Sequence, residues 1–369
     1  MRAREPFARA ALVAGSALLV LVAAEAGLRA AGWAPERYKS MARLVSADER
    51  MLLDAYPTNP RGYFDIDLRT PEARARYLAL APRRYDAVAA RAPWAVEFRY
   101  NAQGFRGGDF GPRRAGVRRV VVVGDSFTEG QGVKEPDTYV RALERLLNGP
   151  EPGRWEVLNC GRRATDFPEL FAVFEEALAR QPDLLVYAMV LNDGDRSPEF
   201  QARQTYVNDW ILDRGRMLIG RPDHELGPYD SRLRELVRDG VAGWRIGRET
   251  ARWYREMYAP ENQAGWQRTQ ERLREMDRRV RAGGGTFLVA TWPLLVGLRG
   301  RYPFAETSAA IAAFLDGAGI ARHDLLPALR GREDESLWVH PVDRHPNEVG
   351  HRLAAESLAP VVRAMGSTR

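Results

Sequence analysis

The stretch Arg119-Val120-Val121-Val122-Val123-Gly124-Asp125-Ser126-Phe127-Thr128-Glu129-Gly130 carries the fold. Its first half is a β-branched run without polar alternation, the pattern of a strand buried on both faces in a parallel sheet. At Gly124-Asp125-Ser126 the chain turns polar where that strand ends, and open α/β sheets place functional groups at the carboxyl ends of their strands. Ser126 is therefore expected at an exposed rim, with the backbone N–H groups of a following turn beside it. Two readings of Ser126 stay open at this point, a nucleophile or a residue that only caps the turn. The segment is neither a Gly-x-Ser-x-Gly elbow, since Thr128 stands where the second glycine belongs, nor a phosphate loop, since no Gly-Lys-Ser/Thr closes it.

Beyond this stretch, residues 137–147 space Val140, Leu143, Leu146 and Leu147 on one helical side and stop at Asn148-Gly149-Pro150. A strand at 155–160, a helix at 168–180 and a buried strand at 183–191 follow, and this alternation predicts a doubly wound parallel α/β sheet. The rhythm breaks at Asn192. It resumes with a strand at 286–291, a helix at 307–315, a short last strand from Gly319-Ile320 and a closing helix at 347–362, giving about five strands.

The piece between, at about 194–284, reads as a helical insertion. Leu233, Leu236, Val237 and Val241, then Trp266, Leu273, Met276 and Val280, stand at helical spacing and are expected to face a core. Trp210, Trp244, Trp253 and Tyr254 compete as the lining of a lid or cleft. Upstream, 33–118 is an extension broken by Pro and Gly, with short helical stretches such as 71–80.

Three further motifs fall at the ends of later elements: Asn159-Cys160-Gly161, Leu191-Asn192-Asp193 and Asp343-Arg344-His345-Pro346-Asn347, the last in the loop before the closing helix. With Gly124-Asp125-Ser126 they resemble the four blocks of the SGNH/GDSL hydrolase superfamily, over about 119–362. More loosely, Tyr100-Asn101-Ala102-Gln103-Gly104-Phe105-Arg106 resembles a segment ahead of the first strand in exported bacterial members. The resemblance implies a flavodoxin-like three-layer sandwich. It implies Ser126 as nucleophile, His345 as general base and Asp343 as the carboxylate that orients it. It implies an oxyanion hole of the Ser126 and Gly161 N–H groups with the Asn192 side-chain amide. Asp343 stands two residues before His345 where the family usually has three, and Ala164 and Val190 occupy positions that often carry glycine.

The chemistry agrees with those roles. A serine hydroxyl needs a base within hydrogen-bond reach, histidine titrates near neutrality, and a carboxylate fixes its tautomer. The implied activity is hydrolysis of an acyl or acetyl ester through an acyl-serine, on a lipid, an acylated sugar or a polysaccharide, without a cofactor. The alternatives are an O-acyltransferase modifying exported polysaccharide and a catalytically inactive membrane-anchored binding protein. His340, His345, His351 and Asp343 lack the helical spacing of a zinc site, and Asp193 reads as a turn former.

The 369 residues carry a net charge of +6, but the basic residues are nearly all arginine interleaved with acids, and no nucleic-acid-binding signature surrounds them. Cys160 is the only cysteine, which excludes an internal disulfide and a multi-cysteine zinc site. Arg2, Arg4 and Arg9 precede an apolar run over 10–24 that reaches bilayer length at Ala31 if Glu25 and Arg29 sit near an interface. This predicts a signal anchor that leaves the catalytic part periplasmic or otherwise extracytoplasmic. A signal peptide cut at Ala24-Glu25-Ala26, releasing a secreted enzyme, is the competing reading. The expected organisation is an anchor or signal peptide at 1–32, an extension at 33–118, and a hydrolase domain at 119–369 that holds the insertion.

Overall fold

The computed structural model describes residues 4–33, 63–67, 96–163, 165–202, 227–340 and 343–367. The stretch 71–80, Ala164, Trp210, His224 and the side chains of His340 and Asp343 lie outside the described residues. Helix α1 (Arg4–Ala30) comes first, and Ala8–Ala30 is long and apolar enough to cross a membrane. Strands β1 (Tyr63–Asp67) and β2 (Val96–Tyr100) pair in parallel within the extension.

β3 (Arg118–Gly124) is the valine strand, and Val120 to Val123 are wholly buried. A one-turn helix α2 (Ser126–Glu129) follows, then α3 (Tyr139–Asn148), β4 (Trp155–Gly161), α4 (Phe167–Leu178) and β5 (Leu184–Val190). After the insertion helices α5 (Arg232–Glu256) and α6 (Gln263–Ala282) come β6 (Thr286–Trp292), α7 (Ala305–Gly317), β7 (Ala321–Asp324) and the short α8 (Leu326–Leu329). The sheet is parallel throughout, in the order β4-β3-β5-β6-β7. That is the expected doubly wound, flavodoxin-like topology. The chain steps from β3 out to β4 and then back across to β5, the kind of reversal that lets crossover helices cover both faces of a sheet. Residues 139–148 pack with the closing helix α9 (Glu348–Ser367), and α4 packs with α6.

Two expectations need correction. The segment before α9 is not an open loop, because β8 (Trp338–His340) and β9 (Asp343–Pro346) form an antiparallel pair. The insertion helices also differ from each other. Leu273, Met276 and Val280 of α6 are buried as expected, but Leu236, Val237 and Val241 of α5 are 39, 57 and 48% exposed and Trp244 is 62% exposed. An apolar helical period does not by itself say that the face is buried, and on α5 it is exposed. By contacts the chain forms two compact units, Met1–Ser46 with Arg203–Arg252 and Ala47–Ala202 with Trp253–Arg369; the sheet belongs to the second.

His351 of α9 is buried in that second unit. Its Nδ1 accepts from the Tyr139 backbone N–H (3.0 Å), so the neutral ring carries its proton on Nε2, and the ring stacks on that of Tyr139. Burial pushes its pKa down to about 3. The unfolded chain takes up this proton near ~6.5, whereas the folded chain resists it almost to the lower value. Stability from this residue is therefore complete above the unfolded pKa and drains away as pH falls towards 3. Urea midpoints measured from pH 7 to pH 4 should fall more steeply for the wild type than for His351→Gln, which keeps an acceptor for Tyr139 but cannot ionise.

Candidate active site

Three of the expected site residues, Ser126, Asn192 and His345, lie at the carboxyl ends of β3 and β5, where the strand order reverses and a parallel sheet leaves a crevice. Ser126 opens α2 directly after β3. The turn is held from its N-terminal side by Asp125, whose Oδ1 accepts from the Phe127 N–H (2.9 Å), an N-cap that fixes the start of the helix. It ends at Gly130, whose φ of +84° is left-handed and whose position has no room for a side chain, because a Cβ would lie 2.5 Å from Thr138 Cγ2.

From the other side the turn is clamped by the segment 100–106. The wholly buried Arg106 donates to the carbonyls of Glu129 (3.0 Å), Gly130 (2.7 Å) and Val133 (2.6 Å), with the Phe98 ring 4.0 Å from its guanidinium carbon. Tyr100 OH donates to Glu129 Oε1 (2.7 Å). The sequence motif at 100–106 thus buttresses the Ser126 turn, a role that spacing alone did not reveal.

His345 comes to Ser126 from 219 residues away, with Ser126 Oγ and His345 Nε2 2.8 Å apart. β9 carries it, and Asn347 secures the strand. The Asn347 amide donates to the carbonyls of Ser336 (2.9 Å) and Trp338 (3.2 Å), while its Oδ1 accepts from Val349 N–H (3.0 Å) and Gly350 N–H at the start of α9. The imidazole also lies edge-on to Phe127, with centroids 5.3 Å apart. Its Nδ1 is 3.3 Å from the Gln131 side-chain amide, a partner that sequence reading missed. Asp343 opens the same strand, in register with His340.

Asn192 follows β5, and its amide reaches Asp125 Oδ2 at 3.4 Å. Asp125 thereby touches both the Ser126 turn and Asn192. Burial raises its pKa, while the Phe127 N–H, His345 and Asn192 favour the charged form. Asp193 is the expected turn former: wholly buried, its Oδ2 accepts from Tyr187 OH (2.9 Å) and Val190 N–H (3.0 Å).

Gly161 ends β4 against the Ser126 turn, and its N–H donates to Asn159 Oδ1 (2.9 Å). A side chain is excluded there, because a Cβ would come 2.1 Å from Glu129 N. Gly161 lets β4 close against α2, and Asn159 completes the contact by donating to Thr128 O (2.9 Å).

The parallel, doubly wound sheet thus brings a serine and a histidine into contact at its topological reversal, where such sheets carry functional groups. The model of the GDSL-like lipase/acylhydrolase family matches residues 122–353, and the chain belongs to that family. It is an esterase- and lipase-like hydrolase of the SGNH/GDSL type. Among solved structures the chain is similar to TesA (18% identity, 67% of this chain and 99% of that one, TM-score 0.40). It is also similar to Axe2, an acetylxylan esterase from Geobacillus stearothermophilus (14%, 70% and 98%, 0.40). A member of the lipolytic protein G-D-S-L family from Veillonella parvula matches at 11% identity, 66% and 98% coverage and TM-score 0.35. No curated protein matches the chain.

Proposed function

We propose that this enzyme cleaves acyl or acetyl esters through a covalent acyl-Ser126 intermediate, with His345 as base and acid and Asp343 as the orienting carboxylate. The single observation that carries the reading is the 2.8 Å approach of Ser126 Oγ to His345 Nε2. In the first step Oγ attacks the ester carbonyl carbon as its proton passes to Nε2. The carbonyl oxygen becomes an oxyanion, and collapse expels the alcohol, which leaves with the proton held on Nε2. Water then attacks the acyl-serine by the same route and releases the acid.

The oxyanion donors are the Ser126 N–H, first of α2, the Gly161 N–H at the end of β4, and the Asn192 amide, which Asp125 orients. Asn192→Ala should lower kcat by about 10²–10³, or ~3 kcal/mol, with little change in KM, because the lost hydrogen bond strengthens only as charge develops. Steady-state kinetics on one ester reads both parameters. An equal loss through KM alone would make Asn192 a substrate-binding residue instead.

Substrate choice is assigned to the insertion as it leaves β5. A surface cleft of about 310 Å³ is lined by Asp166, Gly194, Asp195, Arg196 and Gln201, and the Arg196 guanidinium contacts Asn192 O (3.4 Å). α1 holds the enzyme at a membrane with the catalytic unit on the outer side, in keeping with the arginines ahead of the apolar run. The test is a panel of p-nitrophenyl esters from acetyl upward, with the full-length protein in detergent. Hydrolysis that is lost in Ser126→Ala supports the proposal, and equal hydrolysis by both proteins refutes it.

A further inference from the structure

Glu25 and Arg29 interrupt the apolar run of α1 and have no part in the chemistry above, yet both are engaged. Glu25 Oε1 accepts from the Arg232 N–H (3.0 Å), and Oε2 accepts from the Leu233 N–H (2.8 Å) and the Ser231 hydroxyl (3.0 Å). Arg29 donates to Glu25 Oε1 (2.7 Å) and to the carbonyls of Pro228 (2.8 Å) and Asp230 (2.7 Å). The carboxylate thus caps the first turn of α5, whose N–H groups have no partner within the helix and whose dipole favours a negative charge. Arg29 closes the 228–230 loop around it. All of these residues lie in the first compact unit. Ionisable side chains in an apolar membrane helix are costly unless paired, and this latch pairs both.

α5 supplies an independent observation. Leu236, Val237, Val241 and Trp244 recur at helical spacing and are exposed. Arginines border that stripe on its Val241 side, and Arg248 joins it one heptad beyond Val241: the side chains of Arg234, Arg238, Arg248 and Arg252 are 69, 53, 64 and 54% exposed. Arg248 also lies over the Trp244 ring, 5.0 Å from its centroid. An exposed apolar stripe with a tryptophan, bordered by arginines, is the composition of a helix that lies in a lipid interface. Glu25 stands about 7.5 Å of helix rise before Ala30, the end of the candidate span, within the ~5–10 Å depth at which interfacial helices seat.

We infer that α5 is an interfacial helix: latched to the outer end of α1 by Glu25 and Arg29, it rests its Leu236, Val237, Val241 and Trp244 face in the phospholipid surface and sets its arginines among the phosphates. The inference rests on the reading of α1 as a membrane anchor. It also requires α1 to be retained, since cleavage after Ala26 would carry Glu25 away and leave the first turn of α5 uncapped.

The test uses the full-length chain with Cys160→Ala, reconstituted in vesicles of phosphatidylethanolamine and phosphatidylglycerol. Nitroxide labels go on Val241→Cys, Trp244→Cys and, on the charged face, Arg238→Cys. Power-saturation measurements then compare collisions with oxygen, which enters lipid, and with a water-soluble nickel chelate. Labels at 241 and 244 should favour oxygen and the label at 238 the chelate. Adding Glu25→Ala should reverse the preference at 241 and 244 while the chain still floats with the vesicles. Chelate preference at all three positions in floating vesicles overturns the inference and leaves the anchor standing. Shielding from both quenchers, with spin–spin broadening, overturns it in favour of a second copy of the chain. Failure to float after a carbonate wash removes the anchor reading, and the inference with it.

Discussion

Ser126→Ala should lower kcat by roughly 10⁶-fold, the scale seen when a catalytic serine is removed from a unit of serine and histidine. The hydroxyl is the only atom deleted, the turn keeps its Asp125 cap and its Arg106 clamp, and thermal stability should hardly change. His345→Ala should cost a similar factor, because without the imidazole at 2.8 Å the hydroxyl has no base. The double variant should be no slower than either single one, since residues acting as one unit are not additive. Turnover by the double variant far below both singles would mean that the two residues serve separate steps. Purified variants compared on one activated ester, with contaminating esterase excluded by an unrelated inactive control, give the measurement.

The second large effect concerns the far side of His345. For Nε2 to accept the serine proton, Nδ1 must carry hydrogen, and something must accept it. Asp343→Asn should preserve the fold and lower kcat by up to ~10⁴, because an amide at that position favours the wrong tautomer. The Gln131 side-chain amide lies 3.3 Å from Nδ1, and its carbonyl oxygen and amide nitrogen present the same heavy-atom geometry. With the oxygen turned to Nδ1 it supports the active tautomer, but a neutral amide stabilises an imidazolium far less than a carboxylate does. Gln131→Leu should therefore cost about tenfold or less by the ordinary worth of a neutral hydrogen bond. A reversed ranking, with Asp343→Asn nearly normal and Gln131→Leu crippled, would move the orienting role to Gln131. Turnover of both variants on one ester separates the two outcomes.

The sheet was legible because its central strands β3 and β5 are short continuous apolar runs bounded by turns, the composition of strands buried on both faces. Each predicted strand lies within a residue or two of its observed position, and Ser126, Asn192 and His345 could be placed because they follow strand ends or precede the last helix. The β8–β9 pair escaped because strands of three and four residues are too short to show a period. Spacing also cannot report that the Asn159 side chain, two residues back, takes the Gly161 N–H. Gln131 has no sequence signature at all. It reaches His345 because Gly130 and Gly132, at φ +84° and +81°, fold the chain back beside the nucleophile turn. For α5 the amphipathic period was read correctly, but a period does not say whether core, lipid or protein covers the apolar side.

The central claim is that Ser126 is the residue that becomes acylated. Intact-mass and peptide mapping after treatment with a fluorophosphonate, which phosphonylates only an activated serine, tests it directly. One adduct per chain is expected, mapped to the peptide holding Gly124-Asp125-Ser126, formed rapidly by the wild type, absent in Ser126→Ala and greatly slowed in His345→Ala. An adduct on a different residue, or one that forms as fast in His345→Ala as in the wild type, would contradict it.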